Sequence, residues 1–188
     1  MNKFTGLIAS LALSTVIINT HQVWAGEKID QSLPSDEVTN VVINNHSGSV
    51  NVVGWNKDKI TITGELDEQA EKLIFEQKGA QIRIKVEYDN IDSWTSQGSE
   101  LTIFMPKNIR MNFSSVSSNL TLENLHGGIE AATVSGDILA SEASDNIELS
   151  SISGKIVSNN LSGKISLSAI SGDIDDKNST GRLQLQAV

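Results

Sequence analysis

The sequence contains no cysteine among its 188 residues. That absence excludes a disulfide framework, a thiolate metal site, an iron–sulfur cluster, a cysteine nucleophile and a lipid-modified amino-terminal cysteine. Aromatic residues make up only 4% of the chain, so any core must be mainly aliphatic. Basic residues are also scarce, because 14 Lys and Arg stand against 23 Asp and Glu, for a formal net charge of -9. We therefore expect no binding of nucleic acid, which needs clustered cations.

The first 25 residues are typical of a cleaved export signal. Lys3 gives a positive start, residues 4–18 form an apolar stretch, and a small-residue cleavage site ends at Ala25. The apolar stretch is about fifteen residues long, short of the ~20 that a membrane helix needs. No later stretch of the sequence is long and apolar enough to span a bilayer. We expect a signal peptide over 1–25, no membrane span after its cleavage, and an exported protein, either periplasmic or extracellular at the cell surface.

A nine-residue repeat occupies the carboxyl-terminal half of the chain. The same repeat position carries glycine six times and a turn-favouring Ser118 or Asp145 twice. The glycines are Gly127, Gly136, Gly154, Gly163, Gly172 and Gly181. An aliphatic residue stands two positions after every repeat position: Leu120, Ile129, Ile138, Ile147, Ile156, Ile165, Ile174 and Leu183. Each unit therefore predicts a short strand that begins with an inward-facing aliphatic side chain.

Alternate units resemble each other more than they resemble their neighbours, which doubles the period to eighteen residues. One series consists of Val116-Ser117-Ser118, Val134-Ser135-Gly136, Ile152-Ser153-Gly154 and Ile170-Ser171-Gly172. We predict an all-β fold, a β-solenoid of the β-helix or β-roll kind with nine-residue half-coils and eighteen-residue coils. In this prediction the Val or Ile of each triplet points inward, and the small residues on either side of it point outward.

Residues 38–113 follow a different pattern, with several short strands and all six aromatic residues that lie after the signal. Alternating apolar residues predict strands at 38–44, 50–53, 60–63, 82–86, 101–105 and 109–113. Lys78-Gly79 predicts a hairpin turn. We interpret 26–37 as a linker, 38–113 as a larger-cored cap continuous with the solenoid, and 114–188 as the solenoid repeats. A cap is expected because an open sheet edge invites aggregation.

Three motifs together resemble a known bacterial family. They are Gly54-Trp55-Asn56-Lys57-Asp58, the strand Leu101-Thr102-Ile103-Phe104-Met105 with the following Pro106-Lys107-Asn108, and the recurrent Val-Ser-Gly-Asp-Ile around Gly136. The chain from Val38 to Leu185 is similar to a putative adhesin domain family of unknown function, whose members are β-strand-repeat proteins of the bacterial envelope. The resemblance implies an all-β, solenoid-like fold and an exported or envelope location. It implies no established activity and transfers no functional residue.

The sequence carries no recognisable catalytic, cofactor or metal motif. After the signal only His46 and His126 remain, each in a turn near glycine, which is too few for a histidine zinc site. No nucleophile elbow, phosphate-binding loop or dinucleotide fingerprint occurs. Lys155, Lys164 and Arg182 each follow a repeat position, which opposes the periodic calcium binding known in other nonapeptide repeats. We predict no cofactor, no metal and no enzymatic activity.

A contact surface is the remaining candidate site. Exposed hydroxyls are expected at Ser117, Ser135, Ser153 and Ser171, about 4.8 Å apart along the stack, and Trp94 lies in a polar segment between predicted strands. A purely structural role for the serines, as small groups that fit tight coils, is the competing explanation. We predict a non-enzymatic, adhesin-like binding or scaffolding module of the cell envelope, with an envelope protein or a glycan as its partner. The alternatives are a carbohydrate-active enzyme of β-helical type and an envelope-stress sensory or scaffold protein. The sequence leaves the oligomeric state open.

Overall fold

The computed structural model describes residues 28–89 and 96–188, which form an all-β structure without a helix. The all-β prediction is confirmed, whereas the predicted signal peptide and Trp94 lie outside the described residues. The strands are β1 Lys28–Pro34, β2 Asn40–Trp55, β3 Lys59–Glu65, β4 Lys72–Lys78, β5 Gln81–Glu87, β6 Ser99–Pro106, β7 Arg110–Glu123, β8 Ile129–Thr133, β9 Ile138–Ser141, β10 Ser144–Ser151, β11 Ile156–Asn159, β12 Ser162–Ala169, β13 Ile174–Lys177 and β14 Thr180–Ala187.

The fourteen strands belong to one mixed sheet that divides into two series. The long strands β2 and β7 take part in both, because their first and second halves pair with different neighbours. The first series runs β4-β5-β2-β7-β8-β10-β12-β14, and the second runs β1-β3-β6-β2-β7-β9-β11-β13. Only the β1–β3, β3–β6 and β4–β5 pairs among the described strands are antiparallel. The carboxyl-terminal half is therefore entirely parallel.

Successive strands of the carboxyl-terminal half align residues that are eighteen positions apart. In the first series Ile147 pairs with Ile129 on one side and with Ile165 on the other. In the second series Ile156 pairs in the same way with Ile138 and Ile174. Neighbouring strands lie about 4.8 Å apart, so that like side chains stack on like. The eighteen-residue period of the sequence thus reappears as the register of the strands.

The core is a single cluster of alternating apolar side chains from both series. The aliphatic residues two positions after the repeat position are buried from Leu120 to Ile165, as predicted. Ile174 is half-buried and Leu183 is exposed, so burial decreases toward the last strands. The amino-terminal half contributes larger side chains, including Met105, Met111 and Phe113. Full burial of one such side chain stabilises the fold by roughly 1.5–3 kcal/mol.

In the amino-terminal half the structure confirms the predicted hairpin and places a strand where a linker was expected. The hairpin at Lys78-Gly79 is confirmed, because β4 and β5 pair antiparallel across a turn in which Gly79 has a φ of 60°. Residues expected to form a linker instead contain β1, which pairs with β3 and buries Ile29. The linker expectation missed this strand because its burial is weak, with Ile29 as its only fully buried side chain.

The predicted orientation of the Val-Ser-Gly triplets is wrong. Val116, Val134, Ile152 and Ile170 are exposed, and the residues directly before them, Ser115, Thr133, Ser151 and Ala169, are buried or half-buried. The reason is that alternation continues unbroken from each strand into the triplet. Leu149 and Ser151 of β10 face inward, and the next side chain, Ile152, therefore faces outward. The prediction counted inward and outward positions from the glycine of each triplet. Counting them from the preceding strand gives the opposite orientation, which is the one observed.

Glycine in these triplets is required by space rather than by an unusual φ. A Cβ atom on Gly136 would lie 1.8 Å from the carbonyl oxygen of Ser118, and one on Gly154 would lie 1.9 Å from that of Gly136. Real Cβ atoms do not approach a carbonyl oxygen so closely. Gly136, Gly154 and Gly172 can therefore stack on the preceding triplet only because they have no side chain.

Candidate interaction surface

Four exposed aliphatic side chains form a row along the turn that joins the two series. Val116, Val134, Ile152 and Ile170, which we call the aliphatic ladder, are 44%, 41%, 44% and 50% exposed. Backbone hydrogen bonds hold successive members in register: the N–H of Ser135 donates to the carbonyl of Val116 at 2.8 Å, and that of Ser153 to the carbonyl of Val134 at 2.9 Å. At the usual spacing of strands, the four side chains cover about 14 Å.

Buried hydroxyls directly behind the ladder fix the turn that exposes it. The N–H of Gly136 donates to Thr133 Oγ1 at 3.2 Å, and the N–H of Gly154 donates to Ser151 Oγ at 2.8 Å. Ser115 Oγ donates to Thr133 Oγ1 at 3.0 Å, which links two neighbouring turns. Buried N–H groups need such acceptors, since an unpaired one costs about 1–3 kcal/mol. Hydroxyl residues therefore occupy the inward position in three of the four repeats, with Ala169 in the fourth, and the aliphatic residues are left outside.

The five residues around each ladder member form a band without charge, and the exposed Asp137, Lys155 and Asp173 border it on one side. The segments 114–118, 132–136, 150–154 and 168–172 consist only of Ser, Thr, Ala, Gly, Val and Ile, in a chain whose formal net charge is -9. A partner that covers this band removes no ion from water, so the polar desolvation cost of contact is small. An exposed apolar row with polar neighbours is the usual character of an interaction site.

The four serines predicted as contact residues lie beside the ladder. Ser117, Ser135, Ser153 and Ser171 are exposed, and each follows a ladder member directly in sequence. The surface therefore presents an aliphatic side chain and a hydroxyl from each repeat. The serines' role in contact stays a prediction, and the ladder is the part of the surface that sequence reasoning missed. Counting alternate residues from each strand into the triplet would have found it.

A cleft of about 660 Å³ adjoins the first member of the ladder. Val116 lines the cleft, together with Asn45 and His46 of β2 and Lys85 and Glu87 of β5. The pairing of β2 with both β5 and β7 brings these distant segments together. Because Val116 belongs to the cleft and to the ladder, the two features form one continuous surface.

Ion pairs occupy the rim of the cleft. Glu87 receives the ammonium groups of Lys85 at 2.9 Å and of Lys72 at 3.3 Å. Lys85 foremost, and Lys72 with it, hold the pKa of Glu87 below its usual range. The Glu71 carboxylate, with a smaller contribution from Glu87, raises the pKa of Lys72. The rim therefore stays ionised around neutral pH while its charges offset one another.

Two buried polar atoms in the wall of the cleft lack a hydrogen-bond partner among the described residues. They are Asn45 Oδ1 and the hydroxyl of Tyr88, whose ring contacts that of His46 edge-on at 5.7 Å. Burial raises the pKa of Tyr88. The hydroxyls of Ser99 and Ser47 lie close enough to oppose that rise, but neither has the geometry of a hydrogen bond to Tyr88. The wall thus holds hydrogen-bonding capacity that the described residues do not use.

His126 is not a free turn residue but links two neighbouring repeats. Its Nδ1 lies 2.8 Å from Ser144 Oγ, and its Nε2 lies 3.0 Å from Asn124 Oδ1. A hydroxyl, an imidazole and an amide in this order are also found in catalytic sites, where they serve as nucleophile, general base and orienting group. Ser144 stands eighteen positions after His126, however, and the column continues as Ser162 and Thr180, so stacking explains the contact. None of these side chains lines the cleft beside the ladder.

Neither a metal centre nor a membrane helix is found in the described part of the chain. No three His, Asp or Glu side chains within 28–89 and 96–188 are grouped so that they could hold a metal ion. The same residues include no helix long and apolar enough to cross a bilayer.

Comparison with known proteins gives distant structural likeness and no sequence match. No family model matches the chain, and no curated protein matches it. A solved structure of a putative cell adhesion protein from Clostridium sporogenes is similar over 86% of this chain and 100% of its own, with 10% identity and a TM-score of 0.45. A putative adhesin from Bacteroides fragilis is similar over 86% and 97%, with 11% identity and a TM-score of 0.35. A third, from Parabacteroides distasonis, covers 87% and 98% at 9% identity, with a TM-score of 0.31.

Proteins described as a putative cell adhesion protein or as putative adhesins are thus among the solved structures that this chain resembles. TM-scores below 0.5 at about a tenth sequence identity mark only a distant likeness. The architecture described above stands on its own strand pairing and register.

Proposed function

We propose that this protein is an exported, non-enzymatic binding module of the bacterial envelope, adhesin-like in the sense that it holds a partner on an extended surface. The observation that carries the proposal is the aliphatic ladder, an exposed apolar row set in a band without charge. Isolated exposed aliphatic residues need no explanation, but four in register do. The pattern of residues 1–25 supports export to the periplasm or the cell surface.

We infer that residues 114–188 form a β-solenoid with eighteen-residue coils, each made of two nine-residue halves. Support comes from the constant eighteen-residue offset between paired strands in both series. In such a coil one turn between halves carries the ladder, and every added coil adds one aliphatic residue and one serine. The binding surface would then be periodic, with a repeat of about 4.8 Å.

A periodic surface of this kind suits an extended partner, either a segment of an envelope protein or a glycan chain. The ladder supplies apolar contact, the adjacent serines supply hydroxyls for hydrogen bonds, and the cleft at Val116 supplies a polar end with Asn45 and Tyr88. Affinity in such contacts comes from a few well-placed side chains rather than from total area. The central members, Val134 and Ile152, are therefore the ones expected to matter most.

Capture from envelope extract tests the proposal. The purified chain, immobilised and crosslinked to its contacts, is compared with a Val134→Lys, Ile152→Lys double variant. Because lysine places a charge in the apolar row, we expect the captured protein or glycan to fall about tenfold or more. A Leu139→Lys variant is the matched control, since Leu139 is 45% exposed on β9 but lies outside the ladder.

Each outcome of the capture experiment has a definite meaning. If the native chain captures nothing even after crosslinking, the proposal fails. If the Leu139→Lys chain loses as much as the ladder variant, the ladder is not the binding surface. Release of reducing ends from a captured glycan, abolished by substitution of a single Asp or Glu, would replace binding with a carbohydrate-active enzyme.

A further inference from the structure

Two aromatic side chains stack on the outer face of the sheet, near the carboxyl-terminal ends of β2 and β6. Trp55 ends β2, and Phe104 lies in the neighbouring β6. Their ring centroids are 5.2 Å apart, and the ring planes are inclined by 23°. Val52 and Gly54 are buried, so the alternate side chain of Trp55 projects to the outer face. Trp55 and Phe104 are both half-buried and therefore present part of their aromatic surface to solvent.

Hydrogen bonds from two neighbouring segments fix the position of the indole. Trp55 Nε1 donates to the carbonyl of Lys59 in β3 at 2.9 Å. The main-chain N–H of Lys107 donates to the carbonyl of Trp55 at 3.1 Å. An aromatic surface that is already held in place loses little conformational entropy when a ligand packs on it.

Three lysines surround this indole. The ammonium nitrogens of Lys57 and Lys59 lie 4.6 Å and 5.8 Å from the centroid of the Trp55 ring. Lys107 follows β6, and its main chain bonds to that of Trp55. Within residues 28–89 and 96–188 none of these three ammonium groups forms an ion pair, whereas the lysines at the rim of the cleft do. A cation beside an aromatic face keeps N–H donors that an anion can accept.

The local charge around Trp55 is opposite in sign to that of the whole chain. Segments 53–63 and 103–109 contain the three lysines and a single acidic residue, Asp58, although the formal net charge of the chain is -9. Glu123 of β7 pairs in register with Val53, but it lies on the opposite side of β2 from β6. The surface around the indole therefore favours a ligand that carries negative charge.

We propose that this surface binds an acidic saccharide, a sugar ring that carries an anionic group. The apolar C–H face of the ring packs against the aromatic surface of Trp55 and Phe104. The anionic group accepts charge-assisted hydrogen bonds from the ammonium groups of Lys57 and Lys59. Thr102 projects from the same face of β6 as Phe104 and supplies a hydroxyl for the polar edge of the sugar.

The character of the surface favours a saccharide over an anionic lipid bilayer. Side chains that enter the boundary between headgroups and acyl chains are large, apolar and exposed. Trp55 and Phe104 are only half-buried, and segments 53–63 and 103–109 contain no exposed large aliphatic or aromatic side chain. A flat, partly exposed aromatic surface with ammonium groups at its border can contact a ring without entering a bilayer.

The saccharide surface and the aliphatic ladder are separate. Gly48 pairs with Ser118, directly after the turn that carries Val116. Trp55 lies seven residues further along β2, which is roughly 23 Å at the rise of an extended strand. The inference therefore does not depend on the proposed function, and the experiments that test the two surfaces use different variants.

Calorimetric titration of the purified full chain with trigalacturonic acid tests the inference, with the fully methyl-esterified trisaccharide as the uncharged comparison. We expect the acid to bind at least about tenfold more tightly than its ester. The indole N–H resonance of Trp55, identified by its loss in Trp55→Leu, should shift on titration. Lys57→Gln with Lys59→Gln should raise the Kd about tenfold, and Trp55→Leu should raise it similarly because the sugar loses its stacking surface.

Lys155→Gln with Lys164→Gln is the matched control, because it removes the same charge from two exposed lysines on other strands and turns. It should leave the Kd unchanged, and circular dichroism should show native strand content in every variant. Equal binding of acid and ester, no binding of the acid at ~10 mM, or an unchanged Kd in the Lys57 and Lys59 variant would each overturn the inference. Trp55-dependent binding to phosphatidylglycerol vesicles without binding of the acid would assign the surface to a membrane instead.

Discussion

The two turns of each eighteen-residue repeat have similar sequences but opposite surfaces. Leu125, Ala143 and Leu161 stand two positions before a repeat position and are buried, whereas Val134 and Ile152 stand at the equivalent position of the other turn and are exposed. The five residues that end at each repeat position include Glu123, Glu142, Asp145 and Lys177 in the first turn and no charged residue in the second. One turn therefore closes the core, and the other leaves its apolar groups exposed to solvent.

Backbone conformation explains the difference between the two turns. In the buried turn, one residue of each repeat takes a left-handed conformation: Asn124, Glu142, Asn160 and Asn178 have φ between 52° and 58°. The left-handed residue interrupts the alternation of inward and outward side chains. The side chain that follows it, Leu125, Ala143 or Leu161, therefore points into the core. The exposed turn has no such residue at the ladder, and alternation carries its aliphatic side chain outward. A single left-handed residue thus decides which turn is core and which is surface.

Shortening an equivalent side chain in each turn should give the largest difference. Leu161→Ala should lower the free energy of unfolding by about 3 kcal/mol, because it leaves a cavity in a close-packed core. Ile152→Ala should change it by less than about 0.5 kcal/mol, since much of that side chain is already in water. Urea unfolding of the two variants measures both values, and equal losses would contradict the assignment of one turn to the core.

Adding a methyl group to the exposed turn should have the next largest effect. A Cβ at position 154 would lie 1.9 Å from the carbonyl oxygen of Gly136, so Gly154→Ala must push two stacked backbones apart. We expect a loss of about 2 kcal/mol in the free energy of unfolding. Gly79→Ala is the control, because its Cβ would meet nothing within 4 Å and only its positive φ costs energy, about 1 kcal/mol. A smaller loss for Gly154→Ala than for Gly79→Ala would show that the stack can relax.

Changing the left-handed residue should have a moderate effect confined to the buried turn. Asn160 has a φ of 57°, which a β-branched side chain tolerates poorly. Asn160→Val should therefore cost about 1 kcal/mol, whereas Asn160→Gly should be close to neutral. Thermal unfolding followed by circular dichroism distinguishes the two. If valine were as stable as glycine here, conformation would not be what separates the turns.

The smallest expected effect concerns Tyr88, which is the single tyrosine of the chain. It lines the cleft beside Val116, the first ladder member of the exposed turn. Burial raises the pKa of Tyr88 in the folded state. The folded chain therefore holds the phenol proton more tightly than the unfolded chain, and this contribution to the free energy of unfolding is complete below the unfolded pKa of about 10. It is lost as the pH rises through the folded pKa. Tyr88→Phe should remove that alkaline loss and raise stability at neutral pH by up to about 1 kcal/mol, because the hydroxyl has no hydrogen-bond partner among residues 28–89 and 96–188.

Phenolate absorbance of the native chain reports Tyr88 alone and measures its pKa directly. Urea unfolding of both chains at neutral and alkaline pH supplies the stability comparison. A Tyr88 pKa at or below the ordinary value, or a Tyr88→Phe chain that is less stable at neutral pH, would mean that the hydroxyl is well solvated or bonded.

Periodicity made most of the fold predictable, because a strand alternates every second residue and a stack repeats like residues. Ile147 and Ile165 could be assigned to one column from sequence alone, and the register places them there. The repeat period alone could not show that the ladder side chains point outward. Their orientation depends on where each strand ends, and the contrast with the other turn depends on its left-handed residue. The cleft had no local signal, because His46, Tyr88 and Val116 meet only through the pairing of β2 with β5 and β7.

The eighteen-residue register also sets the unit in which this molecule can change its length. Removing or duplicating eighteen residues, such as 134–151, restores every column and shortens or lengthens the ladder by one member. A shift that is not a multiple of eighteen residues moves glycines away from positions where a side chain would meet a backbone oxygen. A gene that encodes such a chain can therefore vary the length of the aliphatic ladder in whole steps of about 4.8 Å while keeping the same core columns.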